Sequence, residues 1–179
     1  MNAGIEGRPG PAKNRTTVER TSDREVVVTR TINGPARVVF EAFTRAELFK
    51  RWWVPKSMGM TLLSCEIDAR TGGRYRLVFA PGMEFFGRYL EVTPHSRLVW
   101  TNEEGGEGGP VTTVTFEEKR GKTLLVMHEL YPSKEALDAA GTGAADAMVE
   151  TFAQLDELLV TLGANVGRSS VTSTSILMW

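Results

Sequence analysis

Cysteine is nearly absent from this chain. Cys65 stands alone among 179 residues, so no intrachain disulfide can form. That suits a reducing compartment, and the expected location is the cytoplasm. Flanked by Leu62, Leu63 and Ile67, Cys65 reads as a small core residue. No apolar run approaches the roughly 18 residues that span a bilayer, so membrane insertion is not expected. The first residues also lack the hydrophobic core of a secretion signal. Neither sign of charge dominates: 21 basic residues face 22 acidic ones, for a formal net charge of −1. A global pull toward nucleic acid or an anionic surface is thereby excluded, leaving room only for a local basic patch.

Histidine is scarce too. His95 and His128 are the only two, and with one cysteine and no carboxylate cluster they do not make a zinc site. There is no serine-centred elbow, phosphate loop or dinucleotide fingerprint. Gly105, Gly106, Gly108 and Gly109 follow a strand but open no helix, so they read as a linker. No cofactor is expected.

What the chain has is one long apolar stripe and a run of strands. Between Gly143 and Leu162, Ala145, Met148, Phe152, Leu155 and Leu159 recur at helical spacing. Asp146, Glu150, Gln154 and Glu157 are expected on the solvated face. Gly163 is the expected helix stop. Upstream, Arg24 to Ile32 is β-branched and ends at Asn33-Gly34-Pro35. Pro35 opens a short helix with Val38, Val39, Ala42 and Phe43 on one side. Arg45 to Trp53 continues as a second short helix that Pro55 ends. Six strands follow, at Met60–Ile67, Arg74–Ala80, Glu84–Val92, Arg97–Asn102, Val111–Glu118 and Thr123–Tyr131. Gly87 marks a bulge at a sharp bend. Ser133 caps a helical lead-in, broken at Ala140 to Gly143.

The expected fold is α+β: a curved antiparallel seven-stranded sheet wrapped around a long C-terminal helix, with two short helices after the first strand. Residues 1–22 read as a flexible tail, residues 23–163 as the domain, and residues 164–179 as a second tail with a stray apolar end from Ile176 to Trp179.

Several short motifs occur in a particular order. They are Gly34-Pro35, Val39-Phe40-Glu41-Ala42, Trp52-Trp53-Val54-Pro55, Gly72-Gly73-Arg74-Tyr75, Glu91 to Leu98 (EVTPHSRL), Tyr131-Pro132-Ser133, and Leu155-Asp156-Glu157-Leu158-Leu159. Together they resemble the helix-grip fold of the START-like, or SRPBCC, superfamily. The branch they are most similar to is the homologues of the activator of the heat-shock-chaperone ATPase. The resemblance covers about Arg24 to Leu162. It departs on the last helix, where Ala147 and Met148 stand at positions that often hold Gly and then Trp or Met. Relatives in the wider superfamily bind lipids, hormones or polyketides, and some are cyclases. Chaperone activation belongs to a much larger protein with an additional domain, so a single-domain chain does not inherit it.

A sheet bent around a helix leaves space that side chains do not always fill, and ligand sites are apolar pockets with a few polar groups. The residues expected to line that space are Trp53, Phe79, Phe86, Tyr89, Trp100, Met127, Met148 and Phe152, with Arg76, Tyr89, Thr101 and His128 as polar groups. His128 is either a general base or a hydrogen-bonded strand residue. Alternation sends it and Glu129 to opposite sheet faces. The expected function is binding of a small hydrophobic or amphipathic molecule by a monomer or homodimer. One alternative is a cyclase- or hydrolase-type enzyme using a pocket His or Glu. Another is a protein-interaction module presenting the helix or the Trp52-Trp53 corner.

Overall fold

The computed structural model describes residues 14–176. The first 13 residues of the expected N-terminal tail, and residues 177–179 of the apolar C-terminal end, lie outside the described residues. Eight strands form one antiparallel sheet: β1 (Thr17–Arg20), β2 (Glu25–Ile32), β3 (Leu62–Ile67), β4 (Arg74–Phe79), β5 (Met83–Thr93), β6 (Arg97–Thr101), β7 (Val111–Lys119) and β8 (Lys122–Leu130). Their spatial order is β1-β2-β8-β7-β6-β5-β4-β3. Helices α1 (Ala36–Thr44) and α2 (Ala46–Phe49) cross from β2 to β3, followed by one tight helical turn at Lys56–Met58. Helices α3 (Lys134–Ala140) and α4 (Gly143–Ile176) follow β8. This is the helix-grip architecture: a curved sheet closed by helices on one face.

Three expectations about the extent of the elements need correction. The sheet has eight strands rather than seven, because β1 forms inside the stretch read as a tail. Its sequence, Thr-Val-Glu-Arg, has a single apolar residue, so period two had nothing to reveal. Pairing with β2, with Val18 opposite Val28, supplies the order that the pattern lacks. The second short helix ends at Phe49 rather than Trp53. Finally, α4 does not stop at Gly163 but continues to Ile176. Glycine ends a helix when its backbone turns left-handed. No proline lies beyond Gly163 to force the chain out of the helix. Gly141, in contrast, takes φ 65° and ends α3, its N–H donating to the Leu137 carbonyl at 2.8 Å.

The sheet bends where β5 crosses between its two halves. Gly87 pairs with Tyr75 there, and a Cβ on it would lie 1.9 Å from the carbonyl oxygen of Thr101. Only glycine permits that approach. The register shift itself comes slightly later, between Tyr89 and Glu91.

The core lies between the concave sheet face and the helices. Val26, Val28 and Ile32 of β2 are buried against it, as are Val39, Phe40, Ala42 and Phe43 of α1. Phe43 meets Phe116 edge-on at 5.3 Å and Trp52 at 4.7 Å. All five residues of the α4 stripe are buried, and Leu158 joins them. Each large side chain of this set contributes about 1.5–3 kcal/mol by leaving water. Gln154, expected in solvent, is also buried. Its amide donates to the carbonyls of Trp52 (2.8 Å) and Val54 (2.9 Å) and accepts from the Lys56 N–H (2.9 Å). Thr151 donates to the Trp53 carbonyl at 3.2 Å, and Glu150 accepts from the N–H and hydroxyl of Ser57. The segment from Trp52 to Ser57 is thus strapped to α4 by side chains that satisfy its backbone.

Candidate functional site

Alternation along the strands decides which side chains reach the space under the helices. Val26, Glu129, Thr112, Trp100 and Tyr89 lie on one rung that crosses β2, β8, β7, β6 and β5. All five face the concave side. The register places the rung beneath the strap and the start of α4, where packing is incomplete.

Two adjoining compartments result. The inner one, about 90 Å³, lies under Phe43 of α1 and Phe49 of α2 and is floored by Tyr75, Leu77, Tyr89 and Trp100. The outer one, about 310 Å³, is bounded by Phe79 of β4 and by Val54, Pro55, Met58 and Met60 of and beyond the strap. Its far wall is Ala144, Ala147, Met148 and Thr151 of α4, and Glu129 and Tyr131 close the end. Trp53, Phe85 and Asn102 line both compartments, so the two adjoin at these residues, which form the waist between them. Trp53 stacks on Phe49 at 4.8 Å and meets Trp100 edge-on at 6.5 Å, which sets the waist's shape.

Polar groups are few. The Tyr131 hydroxyl donates to Glu129 Oε2 at 3.2 Å. Burial pushes the Glu129 carboxyl above its ordinary value, and the charge of Glu104, on the same compartment, pushes it further. Burial, with Glu129 adding to it, pushes the Tyr131 phenol up to about 12. Tyr75 donates to the Thr101 carbonyl at 2.7 Å, and burial raises its pKa as it does that of Tyr89. Asn102 is held by donation to the Pro110 carbonyl (3.0 Å) and the Thr112 hydroxyl (2.9 Å). An apolar chamber with one carboxyl–phenol pair at its end can hold an apolar body and grip a polar head.

The residues singled out from sequence divide into three groups. Trp53, Phe79, Tyr89, Trp100 and Met148 line the compartments. Met127 and Phe152 are fully buried in the core beside them and line neither. Arg76, Phe86, Thr101 and His128 are a correction: their side chains belong to the convex face. Arg76 is ion-paired with Glu84 in solvent, and Phe86 is exposed across the strand from it. The Thr101 hydroxyl accepts from the Arg88 N–H and donates to Glu103. His128 Nε2 meets Glu25 Oε2 at 2.5 Å, with both side chains about one-third exposed. That bond is the main cause holding the Glu25 carboxyl below its usual range. In each case a neighbour in sequence faces inward instead. The lining residues missed from sequence include Glu129, Glu104, Asn102 and Tyr131. Period two offered a signal for one of them: an inward Met127 on β8 implies an inward Glu129. Trp52 is not a surface corner; it is fully buried, and its indole N–H donates to the Ala42 carbonyl at 2.9 Å.

Among the described residues no helix is long and apolar enough to cross a membrane. No curated protein is similar enough in sequence to match the chain. Solved structures share its fold. A protein from Rhodobacter sphaeroides is 24% identical with a TM-score of 0.72, the match covering 82% of this chain and 99% of that one. One from Nitrosomonas europaea is 23% identical with a TM-score of 0.69, over 81% and 99%. One from Staphylococcus epidermidis is 28% identical with a TM-score of 0.67, over 81% and 94%. The family described as "Activator of Hsp90 ATPase homolog 1-like protein" matches residues 33–160, from the turn before α1 into α4. That stretch holds both short helices, six of the eight strands (β3 to β8), and every wall of the cavity, and on this ground the chain belongs to that family.

Proposed function

We propose that this protein binds a small apolar or amphipathic molecule in the space between the concave sheet face and α4. The observation that carries the reading is the outer compartment itself. A volume of about 310 Å³ stays open beside a core whose other large side chains are buried. That is the lower end of the range of small-molecule sites, and the inner compartment adjoins it. Aromatic rings at the waist offer flat apolar contact, and the Glu129–Tyr131 pair offers a polar anchor. The small α4 residues Ala144 and Ala147 leave the volume that a larger side chain would take. A cytoplasmic location remains part of the reading, supported by the single cysteine, and so does a monomer or homodimer.

The test is a thermal-shift screen of sterols, flavonoids, polyketide-like aromatics and aryl-substituted alkyl compounds. It is run against the parent chain and Met148→Trp, whose indole enters the compartment. A ligand at a hundredfold excess over its Kd should stabilise the parent by about 2.7 kcal/mol and leave Met148→Trp unmoved. Equal stabilisation of both would put the ligand elsewhere and defeat the reading.

A second reading has one observation in its favour. The Glu129 carboxyl sits in a poorly hydrated wall with its pKa raised, as a general acid requires. Turnover of a bound compound that disappears in Glu129→Gln would replace the carrier with an enzyme. His128, on the other face, has no part in that chemistry.

A further inference from the structure

The charge inventory of the cavity is one-sided. Among the described residues that line the two compartments, Glu104 and Glu129 are the only charged side chains; no Lys, Arg or His faces the space. Neither carboxylate appears among the ion pairs of the described residues, although Arg and Lys elsewhere pair freely with Asp and Glu. The two glutamates arrive from different elements. Glu129 stands on β8, opposite Thr112, and Glu104 comes from the loop that joins β6 to β7. Tyr131 and Thr112 engage only part of the Glu129 carboxyl, which leaves lone pairs for a donor from the cavity.

We infer that the cavity selects a cationic amphiphile: an amine whose ammonium group is held by Glu129 and Glu104 while its apolar body lies along Trp53, Phe79 and Phe85. Glu104 is exposed at the rim while Glu129 lies deeper, and the Glu104 charge adds to burial in raising the cost of ionising Glu129. A cation entering between them removes that cost and makes charge-assisted hydrogen bonds, which are about twice as strong as neutral ones. The faces of Trp53 and Trp100 also attract positive charge. A carboxylate ligand of the same shape would add a third negative charge with no base to meet it. The chamber thus accepts hydrophobic bodies broadly and discriminates by head group, provided that it takes a ligand at all.

Isothermal calorimetry on the full chain at neutral pH tests this with phenylbutylamine, phenylbutanol and phenylbutyrate, one apolar body carrying three heads. The amine should bind the parent chain about tenfold more tightly than the alcohol, as expected for one charged hydrogen bond, and the carboxylate most weakly. Glu129→Gln and Glu104→Gln should each shrink the amine-to-alcohol ratio. The ranking on the parent chain needs no variant, so poor folding of either one leaves the test intact. Three equal affinities, all abolished by Met148→Trp, would overturn the cationic preference while the cavity reading stands. The preference also falls if phenylbutyrate binds as well as the amine, or if Glu129→Gln leaves the ratio untouched. Absence of binding by all three would overturn the preference and count against the cavity reading together.

Discussion

His128 and Glu129 are adjacent on β8 and live in different solvents. His128 is on the convex face, bonded to Glu25, while Glu129 closes the cavity beside Tyr131. A carboxyl with a raised folded-state pKa binds more protons in the folded chain than in the unfolded one. Its contribution to stability is therefore greatest at low pH and is lost as pH rises through the folded value. For Glu129 the loss starts at its ordinary value of 4.5 and runs upward from there. Glu129→Gln abolishes this term. The stability difference between parent and variant, from urea midpoints across that range, should move in favour of Glu129→Gln with rising pH. A constant difference would show that the carboxyl is as well solvated folded as unfolded. Glu25 and Glu103, whose carboxyls are held low by hydrogen bonds to His128 and Thr101, act in the opposite sense and only at lower pH.

At the scale of elements, α4 does two jobs with two faces. One face fills the sheet with Met148, Phe152, Leu155 and Leu159. A second row, Glu150, Thr151 and Gln154, binds the backbone of the strap from Trp52 to Ser57, which forms the cavity's rim. On the sheet side, Asp156 accepts from Arg30 Nη2 at 2.6 Å and from the Asn33 N–H at 3.0 Å, tying α4 to β2. Gln154 matters most for the strap because it satisfies three backbone groups in a buried place. Gln154→Ala should cost about 2–3 kcal/mol, near 1 kcal/mol per lost bond. Hydrogen exchange at the Lys56 amide should accelerate well beyond the global change. If only global stability falls and that amide keeps its relative protection, the strap is held by packing of Trp52 instead.

For the whole molecule, the question is where the cooperative unit begins. β1 pairs with β2 over four residues, Val18 packs against the core, and Arg20 reaches Asp138 of α3 at 2.8 Å. A chain trimmed to start at Asp23 loses that strand and leaves β2 as the sheet edge. Its unfolding free energy should fall by about 1–2 kcal/mol, from a few cross-strand pairs worth 0.2–1 kcal/mol each. Trimming to Asn14 should leave the urea midpoint where it was. If both trimmed chains unfold with the full-length midpoint, β1 adds order to the sheet without adding stability.

Local pattern was enough for the strands from β2 to β8, the buried stripe of α4 and the family, because each rests on spacing within a few residues: period two, period near four, and short motifs in sequence order. It failed where the cause is remote. Thr17–Arg20 becomes a strand only because β2 presents an edge. Gln154 is buried only because three backbone groups of a segment about a hundred residues earlier converge on it. The site shows the same division. Aromatic content and a helix-in-sheet order pointed to a cavity, yet Arg76, Phe86, Thr101 and His128 stand on its outside. Residue type says what a side chain can do, and strand parity says which face it takes. Only the paired register of five strands, which no single stretch of chain encodes, brings Glu129, Thr112, Trp100 and Tyr89 onto one rung beneath α4.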